Sequence, residues 1–191
     1  MIAVYQAAAD LEAFCAKQGW QHCFIGGLAA QRWGEVRFTR DADATIYTGF
    51  GTEEEFIQPL LDEFDARISD AGQFAIEKRI LLLLSKDSVG IDVALGGLPF
   101  EKNLVGRATR FTYPPDCILT TCSAEDLVIT KAFSGRDRDW LDLEQVLVRQ
   151  RDKLDWKLIE GELKELLNLN ESVDHWERLK HLRQKVQDFD D

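Results

Sequence analysis

Apolar and polar residues alternate in two different ways along this chain, and the change comes near residue 122. In the first part, short aliphatic or β-branched runs are interleaved with stretches of helical period. The short runs predict strands at residues 22–25, 41–47, 79–85, 89–95, 110–113 and 118–121. The helical stretches predict helices at residues 7–18, 28–33, 52–64, 69–78 and 99–105, although a proline, Pro59, falls inside the third.

The second part carries only the helical period. It predicts helices at residues 123–133, 139–150, 156–169 and 171–186, with Ser123 as the N-cap of the first. No internal repeat or low-complexity linker separates the two parts. The pattern therefore predicts an α+β (mixed α/β) fold, with a small mixed β-sheet core and flanking helices over residues 1–122 and a C-terminal helical bundle over residues 123–191.

Composition narrows the class of protein. The chain has 191 residues, of which 45% are apolar, so it can bury a core without disulfides. The longest aliphatic run, residues 80–84, is too short to cross a bilayer, and the first residues lack the pattern of a signal peptide. The four cysteines show no CxxC spacing, which favours reduced thiols. We therefore expect a cytoplasmic protein with no membrane partner.

Charge bears on the choice of ligand. Lysine and arginine number 23 and aspartate and glutamate 34, which gives a formal net charge of −11. This balance argues against a passive nucleic-acid coat, because phosphate binding requires a basic surface. An acidic charge balance is compatible with a local basic groove or with a cationic small substrate.

Three carboxylates are the candidates for chemistry. Asp41 and Asp43 lie two residues apart in a predicted strand, so their side chains share one face. Two like charges at that spacing are stabilised by a divalent cation, and oxygen ligands suit Mg²⁺ or Mn²⁺. Asp92 interrupts an otherwise apolar predicted strand, where an unpaired carboxylate is costly. If the two strands are neighbours, all three carboxylates converge.

A glycine pair, Gly26 and Gly27, follows the first predicted strand. Because glycine has no Cβ, the backbone there can approach a phosphate closely. A helix that begins at Leu28 would direct its unpaired N–H groups at the same anion. A phosphate cradle together with metal-binding carboxylates is the minimum set for phosphoryl or nucleotidyl transfer.

The order Gly-Gly, thirteen residues, Asp-x-Asp and then a distant strand aspartate resembles the nucleotidyltransferase superfamily that includes DNA polymerase β. Two local stretches narrow the resemblance: RFTRDAD at residues 37–43, and SAEDLVITK at residues 123–131 followed by RDRDWLDLE at residues 136–144. Both are similar to the toxin-type nucleotidyltransferases of abortive-infection systems, the AbiEii-like group. The motifs span residues 24–144, about two thirds of the chain.

The resemblance implies roles for the carboxylates and the glycines. Asp41 and Asp43 would bind both metal ions and act in catalysis. Asp92 would complete the second metal site and help to deprotonate the acceptor hydroxyl. Gly26 and Gly27 would hold the triphosphate.

The resemblance also implies nucleotide-binding residues elsewhere. Lys131 would contact the triphosphate or the leaving pyrophosphate, and Arg136 and Asp142 would touch the nucleotide or surround it with polar groups. Arg40, like Arg37, flanks the aspartate pair and can neutralise phosphate. Each of these residues also has a structural interpretation, as a solvated helix residue or as a member of a salt-bridged loop.

The sequence therefore predicts a Mg²⁺- or Mn²⁺-dependent nucleotidyltransferase that transfers an NMP from an NTP to a hydroxyl. The toxin-type relatives imply an RNA acceptor, an antitoxin-like protein partner and a toxin–antitoxin or abortive-infection setting. The net charge favours a cationic small-molecule acceptor instead, and residues 39–43 are also similar to aminoglycoside nucleotidyltransferases. A non-catalytic nucleotide- or partner-binding module is the third alternative.

Overall fold

The computed structural model describes residues 2–170 and 174–188, and the chain forms two compact units. The first unit contains the residues up to Leu28 together with Phe38–Cys122. The second contains Ala29–Arg37 and the residues from Ser123 onward. A short internal segment thus joins the C-terminal helices in the second unit.

The first unit is built on a mixed sheet. Its described strands are β1 (His22–Phe24), β2 (Asp41–Tyr47), β3 (Asp65–Ala66), β4 (Ile80–Leu84), β5 (Gly90–Gly96), β6 (Thr109–Tyr113) and β7 (Cys117–Thr121). These seven strands lie in the order β3-β4-β5-β2-β1-β7-β6. The pairs β2–β5 and β1–β7 are parallel, and the other neighbouring pairs are antiparallel.

Helices of the first unit cover one face of this sheet. They include α1 (Ile2–Gln18), α3 (Glu54–Glu63) and α4 (Ala71–Lys78), and their apolar side chains form one core with alternate positions of the strands. Core residues of β2, β4 and β5 are Ala42, Ala44, Ile46, Leu81, Leu83, Ile91, Val93 and Leu95. Because side chains alternate along a strand, the positions between these residues face the opposite side of the sheet.

Two further helices begin in the first unit. Helix α2 (Gly26–Trp33) follows β1 and runs from the first unit into the second. Helix α5 (Pro99–Arg107) follows β5, and the Glu101 carboxylate accepts hydrogen bonds from the backbone N–H groups of Gly97 and Leu98. This carboxylate satisfies N–H groups just before the helix, which fixes its start.

The second unit is helical. It contains α6 (Ala124–Ser134), α7 (Asp137–Gln150), a 3₁₀ turn (Arg151–Lys153), α8 (Trp156–Asn170) and α9 (Asp174–Asp188). Gln150 of α7 donates a 2.7 Å hydrogen bond to the carbonyl of Trp33, and Arg149 donates to that of Gly34. None of the described helices in either unit combines the length and the apolar character needed to cross a membrane.

The predicted order of a mixed sheet followed by helices is confirmed. Strand β2 has the predicted bounds, whereas α2 begins at Gly26, two residues before its predicted start. Strand β3 was not predicted, because two residues at a sheet edge carry no readable period. Residues 171–173, the start of the last predicted helix, lie outside the described residues.

Candidate active site

The parallel pairing of β2 and β5 brings the three candidate carboxylates together. Asp43 lies opposite Asp92, and Asp41 lies opposite Gly90. Each of the three aspartates offers one carboxylate oxygen, and these oxygens lie within 4.8 Å of one another. All three side chains are partly buried on the face of the sheet that the core leaves open. The adjacency expected from the strand pattern is therefore present.

The Asp92 carboxylate is neutralised only in part in this cluster, by an ion pair with Arg67. Its Oδ1 atom is buried and lacks a well-aligned hydrogen bond within the described part of the chain. Burial raises the pKa of Asp92, the charge of Arg67 opposes this effect, and the charge of Asp41 adds to it. A site of clustered oxygen donors that includes a buried carboxylate oxygen without a well-aligned hydrogen bond fits a hard divalent cation.

Arg67 supplies a positive charge at the cluster. Its Nη2 atom lies 2.7 Å from Asp92 Oδ1, in an ion pair that lacks the alignment of a good hydrogen bond. Arg67 belongs to no motif and was not predicted as a site residue. It follows β3, and the position of β3 beside β4 cannot be read from local periodicity.

Gly26 holds the start of α2 against the Asp43 carboxylate. Its backbone has a φ of +55°, and a Cβ atom at this position would lie 2.2 Å from Asp43 Oδ2. Glycine is therefore required both by the left-handed backbone and by the close approach. The arrangement places a carboxylate at the N-terminus of a helix, where the helix dipole favours negative charge.

Gly27 makes room for Thr39, a buried residue that the sequence analysis did not single out. A Cβ atom at Gly27 would lie 2.4 Å from Thr39 Oγ1. The Thr39 hydroxyl lies 3.3 Å from the backbone oxygen of Asp41 and 3.4 Å from its Oδ1 atom, and donates to these oxygens. Thr39 thus helps to orient the first aspartate, and its position two residues before Asp41 was the available signal.

A second charged cluster lies within the second unit. Arg37 donates two hydrogen bonds to Asp142, from Nε at 2.6 Å and from Nη2 at 2.8 Å. Lys131 Nζ donates to Asp142 at 2.6 Å and to Asp139 at 2.8 Å. The Lys131 and Asp142 side chains are only 6% and 7% exposed. Predicted nucleotide-binding residues here are thus partners in a buried ion-pair network.

The charge state of Asp142 follows from these contacts. Burial alone would raise the pKa of its carboxyl group, but the hydrogen bonds from Arg37 and Lys131 outweigh burial and lower it. The carboxylate is therefore ionised and fully engaged. In contrast, Arg40, just before β2, and Arg136, at the N-cap of α7, have exposed side chains.

This architecture is the fold of nucleotidyltransferase-like proteins. The crystal structure of an antigenic nucleotidyltransferase-like protein from Paracoccidioides brasiliensis aligns with a TM-score of 0.52 and 15% identity, over 93% of this chain and 92% of that one. The solution structure of the antibiotic-resistance factor ANT(2'')-Ia aligns with a TM-score of 0.47 and 14% identity, over 98% of this chain and 92% of that one.

No protein-family model matches the chain, and no curated protein matches it in sequence. At 15% identity the structural likeness to the fungal protein shows the fold alone. The AbiEii-like subgroup therefore stays a prediction from the sequence motifs.

Proposed function

We propose that this chain is a metal-dependent nucleotidyltransferase that transfers an NMP from an NTP to a hydroxyl acceptor. The observation that carries the proposal is the convergence of Asp41, Asp43 and Asp92 within 4.8 Å on a nucleotidyltransferase-like fold. In the reaction, the acceptor oxygen forms a bond to the α-phosphorus while the α–β phosphoanhydride bond breaks, and pyrophosphate leaves.

The donor set fits Mg²⁺ or Mn²⁺, which would be held by Asp41, Asp43 and Asp92. A bound divalent cation would supply charge neutralisation on the phosphate oxygens and lower the pKa of the attacking hydroxyl. Asp92 lies beside Asp43 in the cluster. On the motif resemblance it is our candidate for accepting the proton of the acceptor hydroxyl.

Phosphate binding is proposed for the start of α2. Gly26 and Gly27 open this helix, whose first backbone N–H groups have no acceptor within the helix. The exposed Arg40 side chain, just before β2, adds a positive charge for the triphosphate. Lys131, Arg136 and Asp142 are proposed as nucleotide-binding residues on the motif resemblance alone.

Two classes of acceptor follow from different observations. The motif resemblance favours RNA, in a toxin–antitoxin or abortive-infection setting with an antitoxin-like partner. The net charge of −11 favours a cationic small molecule, because a polyanionic acceptor is repelled unless basic residues form a local surface. We place RNA first and test both acceptors in one experiment.

The test is transfer of label from each of the four α-³²P-labelled NTPs, with Mg²⁺ or Mn²⁺, to total RNA or to a panel of aminoglycosides. The variants are Asp41→Asn and Asp43→Asn, which keep side-chain size and remove one charge. Asp116→Asn, at an exposed position between β6 and β7, is the matched control. We expect transfer by the wild type and the control, and a loss of at least about a hundredfold in both site variants.

The product identifies the acceptor. Label on RNA supports the toxin-like assignment, whereas label on an aminoglycoside supports the small-molecule alternative. Full activity in Asp41→Asn and Asp43→Asn would refute the proposed site. Absence of transfer, with cation-dependent NTP binding that Asp41→Asn abolishes, would favour a non-catalytic nucleotide-binding module.

A further inference from the structure

We propose that Arg67 is a built-in counter-ion of Asp92 that competes with a divalent cation for this carboxylate. The inference rests on the proposed cation site at Asp41, Asp43 and Asp92. It adds a residue outside the recognised motifs, and it concerns how tightly the site binds a cation before any nucleotide is present.

The backbone of Arg67 is fixed in line with the carboxylates. Its N–H group donates a 2.9 Å hydrogen bond to the carbonyl of Leu82 on β4. Leu82 lies opposite Asp92 on β5, which in turn lies opposite Asp43 on β2. The four residues thus form one row across the sheet, and the long arginine side chain crosses β4 to reach Asp92.

A gap in the next row leaves room for the guanidinium group. Gly90 lies one row from Asp92, opposite Asp41. A Cβ atom at Gly90 would lie 2.8 Å from Arg67 Nη1, closer than a relaxed contact permits. A Cβ atom at this position would therefore force the guanidinium group to shift.

The contact between Arg67 and Asp92 is close but poorly aligned. Nη2 lies 2.7 Å from Oδ1, and this buried oxygen still lacks a hydrogen bond of good geometry. Charge makes a large contribution to this pair, and a cation can supply that positive charge instead. A cation coordinated by Oδ1 would repel the guanidinium group at that distance, so the two compete for this carboxylate.

Replacing the Arg67–Asp92 ion pair with a bound cation should cost a moderate amount of free energy. The side chains of Arg67 and Asp92 are 32% and 23% exposed, so solvent screens part of their attraction. An ion pair of this kind corresponds to about a two- to fivefold change in a competing equilibrium. Wild-type protein should therefore bind a lone divalent cation about two- to fivefold more weakly than a protein without the Arg67 contact.

The test is Mn²⁺ binding to the full chain without nucleotide, measured from the electron paramagnetic resonance signal of free Mn²⁺. Arg67→Gln removes the competing charge and should bind Mn²⁺ about two- to fivefold more tightly than the wild type. Arg110→Gln removes the same charge from an exposed position on β6 and should leave the affinity nearly unchanged. Circular dichroism spectra and melting curves verify that each variant is folded.

A second variant separates the effect of the Arg67–Asp92 contact from the effect of the net charge of the protein. Gly90→Ala keeps Arg67, but its Cβ atom displaces the guanidinium group, so it should also bind Mn²⁺ more tightly. Wild-type affinity in both Arg67→Gln and Gly90→Ala would overturn the inference and leave the cation site intact. Equal gains in Arg67→Gln and Arg110→Gln would also overturn it. Absence of Mn²⁺ binding in every variant would overturn the proposed cation site itself.

Discussion

Glycine meets two different structural requirements in this protein: a left-handed backbone conformation and close packing against a neighbouring side chain. Gly26 and Gly19 both adopt left-handed backbone conformations, with φ of +55° and +72°. A Cβ atom at Gly26 would collide with Asp43, whereas a Cβ atom at Gly19 would have no atom within 4 Å. The two positions therefore differ in their contacts while sharing the same kind of backbone requirement.

Replacing each glycine with alanine separates the two effects. Gly19→Ala and Gly26→Ala should each lose about 1 kcal/mol of unfolding free energy from backbone strain. Gly26→Ala should in addition displace the Asp43 carboxylate and weaken Mn²⁺ binding at least about tenfold, because one of three ligands moves. Urea unfolding and Mn²⁺ titration measure the two quantities. Equal Mn²⁺ affinity in both variants would show that Asp43 tolerates the added methyl group.

Residues with a sequence motif were the ones that could be predicted. Asp41, Asp43 and Gly26 stand in recognisable spacings, and Asp92 stood out because it interrupts an apolar strand. Arg67 reaches the site through a contact that depends on the strand order and on a two-residue edge strand, which local periodicity does not give. Thr39 lies two residues before Asp41, and its contact with this aspartate could have been suggested by that position.

At the scale of elements, a buried histidine joins α1, β1 and β7. His22 on β1 has two ring nitrogens with acceptors at 3.1 Å, the carbonyl of Trp20 and the Glu12 carboxylate on α1. Glu12 also accepts hydrogen bonds from the backbone N–H and the hydroxyl of Thr120 on β7. Two acceptors around one ring require two N–H donors, which is the protonated imidazolium form.

The pKa shifts of this pair define a pH window. Burial opposes the charge on His22, but hydrogen bonds to Glu12 and Trp20 outweigh burial and raise its pKa above the usual 6.5. Burial likewise opposes the charge on Glu12, yet its hydrogen bonds lower its pKa below the usual 4.5. The stabilisation is fully present between these usual values. It is lost as pH rises through the raised pKa of His22 or falls through the lowered pKa of Glu12.

Glu12→Gln tests this window, because the amide keeps the side-chain size and one acceptor oxygen and removes the charge. The side chains of His22 and Glu12 are only 8% and 15% exposed. The variant should therefore lose about 1–2 kcal/mol of unfolding free energy near pH 5.5 and clearly less near pH 9. Denaturant unfolding at the two pH values measures the difference, with the exposed Glu63→Gln as control. A loss that stays constant across this range would contradict a charged His22.

The sequence predicts whether a segment is a strand or a helix better than it predicts which distant segments are in contact. Alternating apolar positions identified six of the described strands, and helical periods identified the helices of the second unit. The attachment of residues 29–37 to α7 depends on hydrogen bonds to the carbonyls of Trp33 and Gly34. Such long-range bonds leave no periodic trace in the sequence, so the segment's membership of the second unit could not be predicted.

At the scale of the whole molecule, the net charge of −11 sets a general response to salt. Like charges on a folded chain repel more strongly than on an expanded one, and salt screens this repulsion over about 10 Å at 0.1 M. The melting temperature should therefore rise by a few degrees between about 20 mM and about 300 mM KCl. Differential scanning calorimetry in EDTA measures it without divalent ions. A fall in melting temperature would show that surface ion pairs outweigh the net repulsion.

Because β2 and β5 pair in register, an insertion or deletion within either strand affects the carboxylate cluster differently when it changes an odd or an even number of residues. One residue added within β5 ahead of Asp92 would turn its carboxylate into the aliphatic layer, because successive side chains point to opposite faces. Two added residues would restore the face and move the carboxylate one row along β2. A change in the length of a loop outside these strands leaves their pairing intact, whereas a change in the number of residues from the start of either paired strand to its aspartate does not.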